Sequence, residues 1–75
     1  MQQKIIEIIA RVLEVDLDEV TLDTEIGELP EWDSMHHIHI ISELENEFGC
    51  KLPEEELMDL EDVSDIVSLI KEKVG

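Results

Sequence analysis

Residues 31–39, Glu31-Trp32-Asp33-Ser34-Met35-His36-His37-Ile38-His39, gather a serine behind an aspartate and all three histidines of the chain. Several chemistries use such side chains. A hydrolase would need Ser34 activated by a histidine. His37 stands three residues on, but no glycine elbow or oxyanion-hole motif surrounds the serine. A zinc site would start from His36 and His39, which share a helical face. No cysteine or fourth ligand has helpful spacing, and Cys50 lies well beyond this segment. A calcium loop begun at Asp16 keeps Asp18, but Val20, Thr21 and Gly27 occupy positions that need an oxygen ligand, a glycine and a glutamate. Cys50 has no neighbour that suggests redox work and no second cysteine to pair with. No catalytic or metal-ligating set is therefore expected. A phosphoester remains. A serine at a helix N-terminus exposes its hydroxyl where unpaired N–H groups and the helix dipole favour an anion. From spacing alone, the simpler reading of Asp33-Ser34 is a helix cap.

The elements that position this segment follow from the apolar spacing. Residues 3–14 read as a helix, with Ile5, Ile9, Val12 and Leu13 recurring at three and four and Ile6 and Ile8 widening the face. Residues 15–33 hold no helical period. They contain Asp16, Asp18, Asp23, Thr24, Gly27 and Pro30, all turn formers or breakers. A structureless stretch of that length is unusual. Leu17, Val20, Leu22, Ile26, Leu29 and Trp32 are therefore expected to pin it to the core, with a short helical turn near residues 16–20.

Residues 34–48 form the second helix, whose core face is Ile40, Ile41, Leu44 and Phe48. Met35, Ile38 and Ser42 point away from it, and His37 points inward. Gly49 ends the helix. Pro53 followed by Glu54, Glu55 and Glu56 starts a short third helix that ends near Leu60. Asp62 caps the last helix, which buries Val63, Ile66, Val67, Ile70 and Val74. The fold class is all-α, a small four-helix bundle with three longer helices, a short one before the last, and a long first loop. No segment alternates at a period of two, so no sheet is expected.

The chain has 75 residues, one domain's worth spanning 1–75. Its 43% apolar content is enough for a core. Twenty-one acidic residues face five basic ones, a net charge of −16. That charge excludes nucleic acid and disfavours an anionic membrane surface. It favours partners with basic patches, and it also maintains solubility. No secretory leader and no membrane-length apolar run is legible, so a cytoplasmic monomer is expected.

The run from Leu29-Pro30-Glu31-Trp32-Asp33-Ser34-Met35-His36-His37-Ile38 to Leu44-Glu45-Asn46-Glu47-Phe48-Gly49 resembles the acyl carrier proteins. Their signature is Asp-Ser-Leu at the start of the second helix. Asp18-Glu19-Val20-Thr21 and Leu60-Glu61-Asp62-Val63 extend the likeness over nearly the whole chain. The resemblance implies that Ser34 receives 4′-phosphopantetheine from coenzyme A through a phosphopantetheinyl transferase. The arm's thiol then carries an acyl group as a thioester to loading, condensing or transferase enzymes with basic docking surfaces. The carrier itself catalyses nothing.

Three departures from the family pattern stand out. Met35 replaces leucine after the serine, as in carriers of D-alanine. His36 and His39 lie where fatty-acid carriers often have acids. Ser42 stands where an apolar contact is common. Together they point to a specialised stand-alone carrier, with Met35, Ile38, His39, Ser42 and Glu45 as the docking surface because they lie off the core face. The carried group stays open between a fatty or polyketide acyl group, an amino acid such as D-alanine, and a sugar-modifying acyl group. The alternative from another class is an unmodified acidic interaction module.

Overall fold

The computed structural model describes residues 1–74. Helix α1 spans Gln2–Leu13, a 3-10 turn spans Leu17–Glu19, and α2 spans Ser34–Phe48. They are followed by α3 at Glu54–Leu57 and α4 at Val63–Val74. The described residues contain no strand, only an isolated antiparallel bridge between Glu25 and Asp62. The all-α four-helix architecture is as the periodicity predicts.

The three long helices pack on one core. Ile5 and Ile9 of α1, Ile40 and Leu44 of α2, and Ile66 and Ile70 of α4 are all essentially inaccessible. Burial of each such side chain is worth about 1.5–3 kcal/mol against exposure. Phe48, expected on the same face, is only half-buried, at the last position of α2 and the edge of the core. Helix α1 closes through Glu14, which takes the left-handed conformation at φ 58, and the Val15 N–H then bonds back to the Ala10 carbonyl. Gly49 does the same for α2 at φ 63, where a glycine carries no Cβ penalty.

The long connection between α1 and α2 is ordered mainly by its backbone. The first N–H groups of α4 have no partner within their own helix. The loop supplies the acceptors: Val63 N–H donates to Thr24 O at 3.0 Å and Ser64 N–H to Leu22 O at 3.0 Å. Ile26 N–H returns a bond to Glu61 O at 2.9 Å. Thr24 is buried at this seam, its hydroxyl accepting the Thr21 N–H at 2.9 Å. Val20 and Trp32 are buried as expected, and Leu22, Ile26 and Leu29 are half-buried. Leu17 is not an anchor. It lies 43% exposed, on the outer side of the 3-10 turn.

Helix α3 stops at Leu57, short of Leu60. Beyond Met58 the chain continues in tighter turn bonds, Asp59 N–H to Glu56 O and Leu60 N–H to Leu57 O, both at 3.3 Å. Half-buried Leu57 and the 2.8 Å ion pair of Glu56 with Lys73 fasten this short helix to the bundle. The hydrogen bond that the Lys73 ammonium donates to Glu56 holds its pKa above the ordinary range.

Candidate functional site

Asp33 settles which residue caps α2. Its backbone is extended, at φ −98 and ψ −176, and its Oδ1 accepts the His36 N–H at 2.9 Å. The same oxygen lies 2.8 Å from His36 Nδ1. These contacts hold the Asp33 carboxyl below the usual carboxylate range, the His36 backbone N–H contributing most. Capping is thus complete without Ser34. The serine is the first helical residue, exposed, and neither its hydroxyl nor its N–H has a partner among the described residues. An unengaged hydroxyl and a free N–H at the positive end of a long helix suit a phosphodiester.

The histidines separate into distinct roles. His36 is held by Asp33. His39 Nε2 and Arg11 Nη2 both reach Glu43, each at 3.5 Å, across the α1–α2 surface. The described residues contain no group of three side chains able to hold a metal. His37 turns inward, as its helical position predicts, and is half-buried. Its Nδ1 accepts the indole N–H of Trp32 at 3.1 Å, with the ring centroids 6.1 Å apart. Burial pushes its pKa below the ordinary histidine value. No motif announced this bond, although an aromatic N–H donor just before a helix and a histidine in its first turn were both legible.

The outer face of α2 is as expected. Met35 is 80% exposed, Ile38 is 69% exposed, and His39 and Ser42 are exposed. Glu45 is half-buried, because its Oε2 accepts the Leu52 N–H at 2.8 Å and so ties α2 to the segment leading into α3. Sequence reasoning missed Met58, which ends α3 with 80% of its surface exposed.

Between α2 and α3 lies an open cleft of about 490 Å³. Ile38, Ile41, Leu52 and Leu57 form its apolar walls, and His37, Ser42, Glu45 and Glu54 supply polar groups. Its α2 wall runs from His37 to Glu45, roughly 4 to 16 Å along the helix axis from Ser34. The cleft therefore begins one turn below the serine.

No side chain among the described residues hydrogen-bonds to the Ser34 hydroxyl. The described residues also include no helix long and apolar enough to cross a membrane.

The comparisons with known proteins agree with that geometry. Residues 3–70 match the family model for the phosphopantetheine attachment site. The chain is 38% identical over 73 residues to the acyl carrier protein of Petrotoga mobilis, covering 97% of this chain and 86% of that one. It is 35% identical over 72 residues to the acyl carrier protein of Rickettsia bellii, covering 96% and 84%. The solution structure of the holo acyl carrier protein from Geobacter metallireducens superposes with a TM-score of 0.86 at 28% identity, covering 96% of this chain and 83% of that one. Members of this family receive their prosthetic group from a phosphopantetheinyl transferase and deliver acyl groups to biosynthetic enzymes. An all-helical bundle whose second helix opens with a free serine beside an apolar cleft fits that group. The chain belongs to the acyl carrier proteins, carriers built to bear 4′-phosphopantetheine rather than to catalyse.

Proposed function

We propose that Ser34 is the attachment point of 4′-phosphopantetheine and that residues 1–75 act as one carrier domain in a specialised biosynthetic pathway of the cytoplasm. One observation carries the assignment. Asp33 meets the capping requirement of α2 alone, which leaves the Ser34 hydroxyl exposed and unbonded. In the loading step the Ser34 oxygen forms a bond to the phosphorus of coenzyme A nearest the pantetheine. The phosphoanhydride bond breaks, adenosine bisphosphate departs, and the serine proton passes to a base of the transferase. The arm, once attached, offers a terminal thiol that holds the cargo as a thioester.

Incubation of the purified chain with coenzyme A and a broad-specificity phosphopantetheinyl transferase should add one arm, read by intact mass. Ser34→Ala should gain nothing. An equal gain by that variant, or none by the parent chain, overturns the assignment.

Met35, Ile38, His39, Ser42 and Glu45 form the docking surface for the loading, condensing or transferase partner. Met35 and Ile38 are large apolar side chains held in water, which favours a protein contact there. The first two turns of α2 carry histidines and no carboxylate, while Glu43, Glu45 and Glu47 follow in its second half. A partner of the monomeric carrier should thus meet an apolar patch near Ser34 and acids farther along. Ile38→Asp should leave the fold intact and slow transfer by a cognate enzyme. An unchanged transfer rate removes this surface from consideration.

A further inference from the structure

We propose that the Trp32–His37 pair locks a neutral imidazole with its proton on Nε2 at the Ser34 end of the α2–α3 cleft, where that N–H holds a carbonyl of the tethered arm or of its cargo. The proposal rests on Ser34 as the attachment point. An indole N–H only donates. The 3.1 Å bond from Trp32 therefore needs a lone pair on His37 Nδ1, and a neutral imidazole then carries its one proton on Nε2. Burial of the ring acts in the same direction by favouring the neutral form.

Nε2 has no hydrogen-bond partner among the described residues, and His37 is one of the residues that line the cleft. Its neighbours limit what it will accept. Ile38, Ile41 and Leu57 make the walls apolar, and Glu45 and Glu54 repel an anion. Glu45 already has one oxygen committed to the Leu52 N–H. A fixed neutral donor between apolar walls and carboxylates fits a neutral acceptor, either an amide carbonyl of the arm or an oxo carbonyl of the cargo. Its place about 4 Å along the axis from Ser34 suits a group reaching down from that residue. His37 is thus a positioning residue for the tethered group, and Trp32 acts through it.

Nitrogen-15 spectra of the His37 ring test this in four states: apo, holo, and holo loaded with a saturated or with a β-oxoacyl chain of equal length. The apo protein should show the Nε2-protonated tautomer, and Trp32→Phe should mix in the other. A downfield shift of the Nε2 proton on conversion to holo identifies the arm as the acceptor. A shift confined to the β-oxoacyl form identifies the cargo. His37→Phe should weaken magnetisation transfer between the tethered group and the cleft methyls by about fivefold, the worth of one hydrogen bond. His37→Gln, which keeps a donor, should restore part of it. A proton on Nδ1 in the apo protein, or an Nε2 resonance unmoved in every state, overturns the proposal. The intact mass of each sample separates the two failures. Without a mass gain the attachment reading falls and takes this one with it, whereas a gain with a motionless ring refutes this proposal alone.

Discussion

The starts of α2 and α4 are built from the same parts and put to different uses. Each begins behind an aspartate whose Oδ1 accepts the N–H three residues on: Asp33 from His36 at 2.9 Å and Asp62 from Asp65 at 3.0 Å. Each has a serine in its first turn. At α4 that serine is consumed. The Ser64 hydroxyl donates to Asp62 at 2.6 Å, its N–H to Leu22 O at 3.0 Å, and the neighbouring Val63 N–H to Thr24 O. The long loop lies over this helix start and closes it. At α2 the start is exposed, and the Ser34 hydroxyl has no partner among the described residues. A cap motif states where a helix begins. Whether its serine is available depends on what the rest of the chain folds against it.

The sharpest way to break the comparison is to compare isoleucines near the two starts. Ile66, in the first turn of α4, is 1% exposed, while Ile38, in the second turn of α2, is 69% exposed. Ile66→Ala should cost about 2–5 kcal/mol of unfolding free energy in urea titration, from lost burial and the cavity left behind. Ile38→Ala should stay within about 0.5 kcal/mol. Similar losses would mean that the outer face of α2 is structural and is not kept for partners.

The two aspartates give a smaller and pH-dependent contrast. Both have carboxyl pKa values held below the ordinary 3.8, Asp62 chiefly by the Ser64 hydroxyl and Asp33 chiefly by the His36 N–H. A depressed carboxylate stabilises the fold fully above its unfolded pKa and loses that contribution as pH falls through the folded value. Asp62→Ala should lower the melting temperature by several degrees at neutral pH and flatten its fall below about pH 4. Asp33→Ala should lower it less and slow arm attachment more, because only the turn around Ser34 frays. Equal melting losses would erase the distinction between a start that holds the fold and one that serves the site.

Much of this is legible in the amino-acid sequence. The recurrence of Ile5 and Ile9, of Ile40 and Leu44, and of Ile66 and Ile70 fixes three helices, since apolar residues at three and four must share a face. Asp33-Ser34 marks the start of α2. The unread part lies in backbone bonds between distant segments. Nothing in Leu22 or Thr24 announces that their carbonyls meet the N–H groups of Val63 and Ser64, because every residue type carries the same carbonyl. Leu17 misled for the opposite reason. An apolar side chain in a loop suggests an anchor, but on the outer side of the 3-10 turn it faces water. Glu45 showed as an outward acid, and its bond to the Leu52 N–H depends on where the next segment returns.

The smallest effect concerns the link between the loop and α2 beside the open start. The pKa of His37 is lowered from its ordinary 6.5 by burial, so the fold favours the neutral ring and the unfolded chain binds the proton more readily. The stability that this ring contributes is therefore complete above pH 6.5 and falls away as pH drops through the lower folded value. Protonation puts a proton on Nδ1 and removes the acceptor for the Trp32 N–H. One neutral hydrogen bond is worth about 1 kcal/mol, so the loss should be modest and local. The chain's single tryptophan reports it directly. Trp32 emission should change with a midpoint below pH 6.5, and the transition should vanish in His37→Phe. A transition that survives His37→Phe would show that His37 is not the group the indole reports. Its disappearance would place the Trp32 bond to the open start on a group sensitive to mild acid, whereas the loop meets the closed start through the Leu22 and Thr24 carbonyls, which do not titrate.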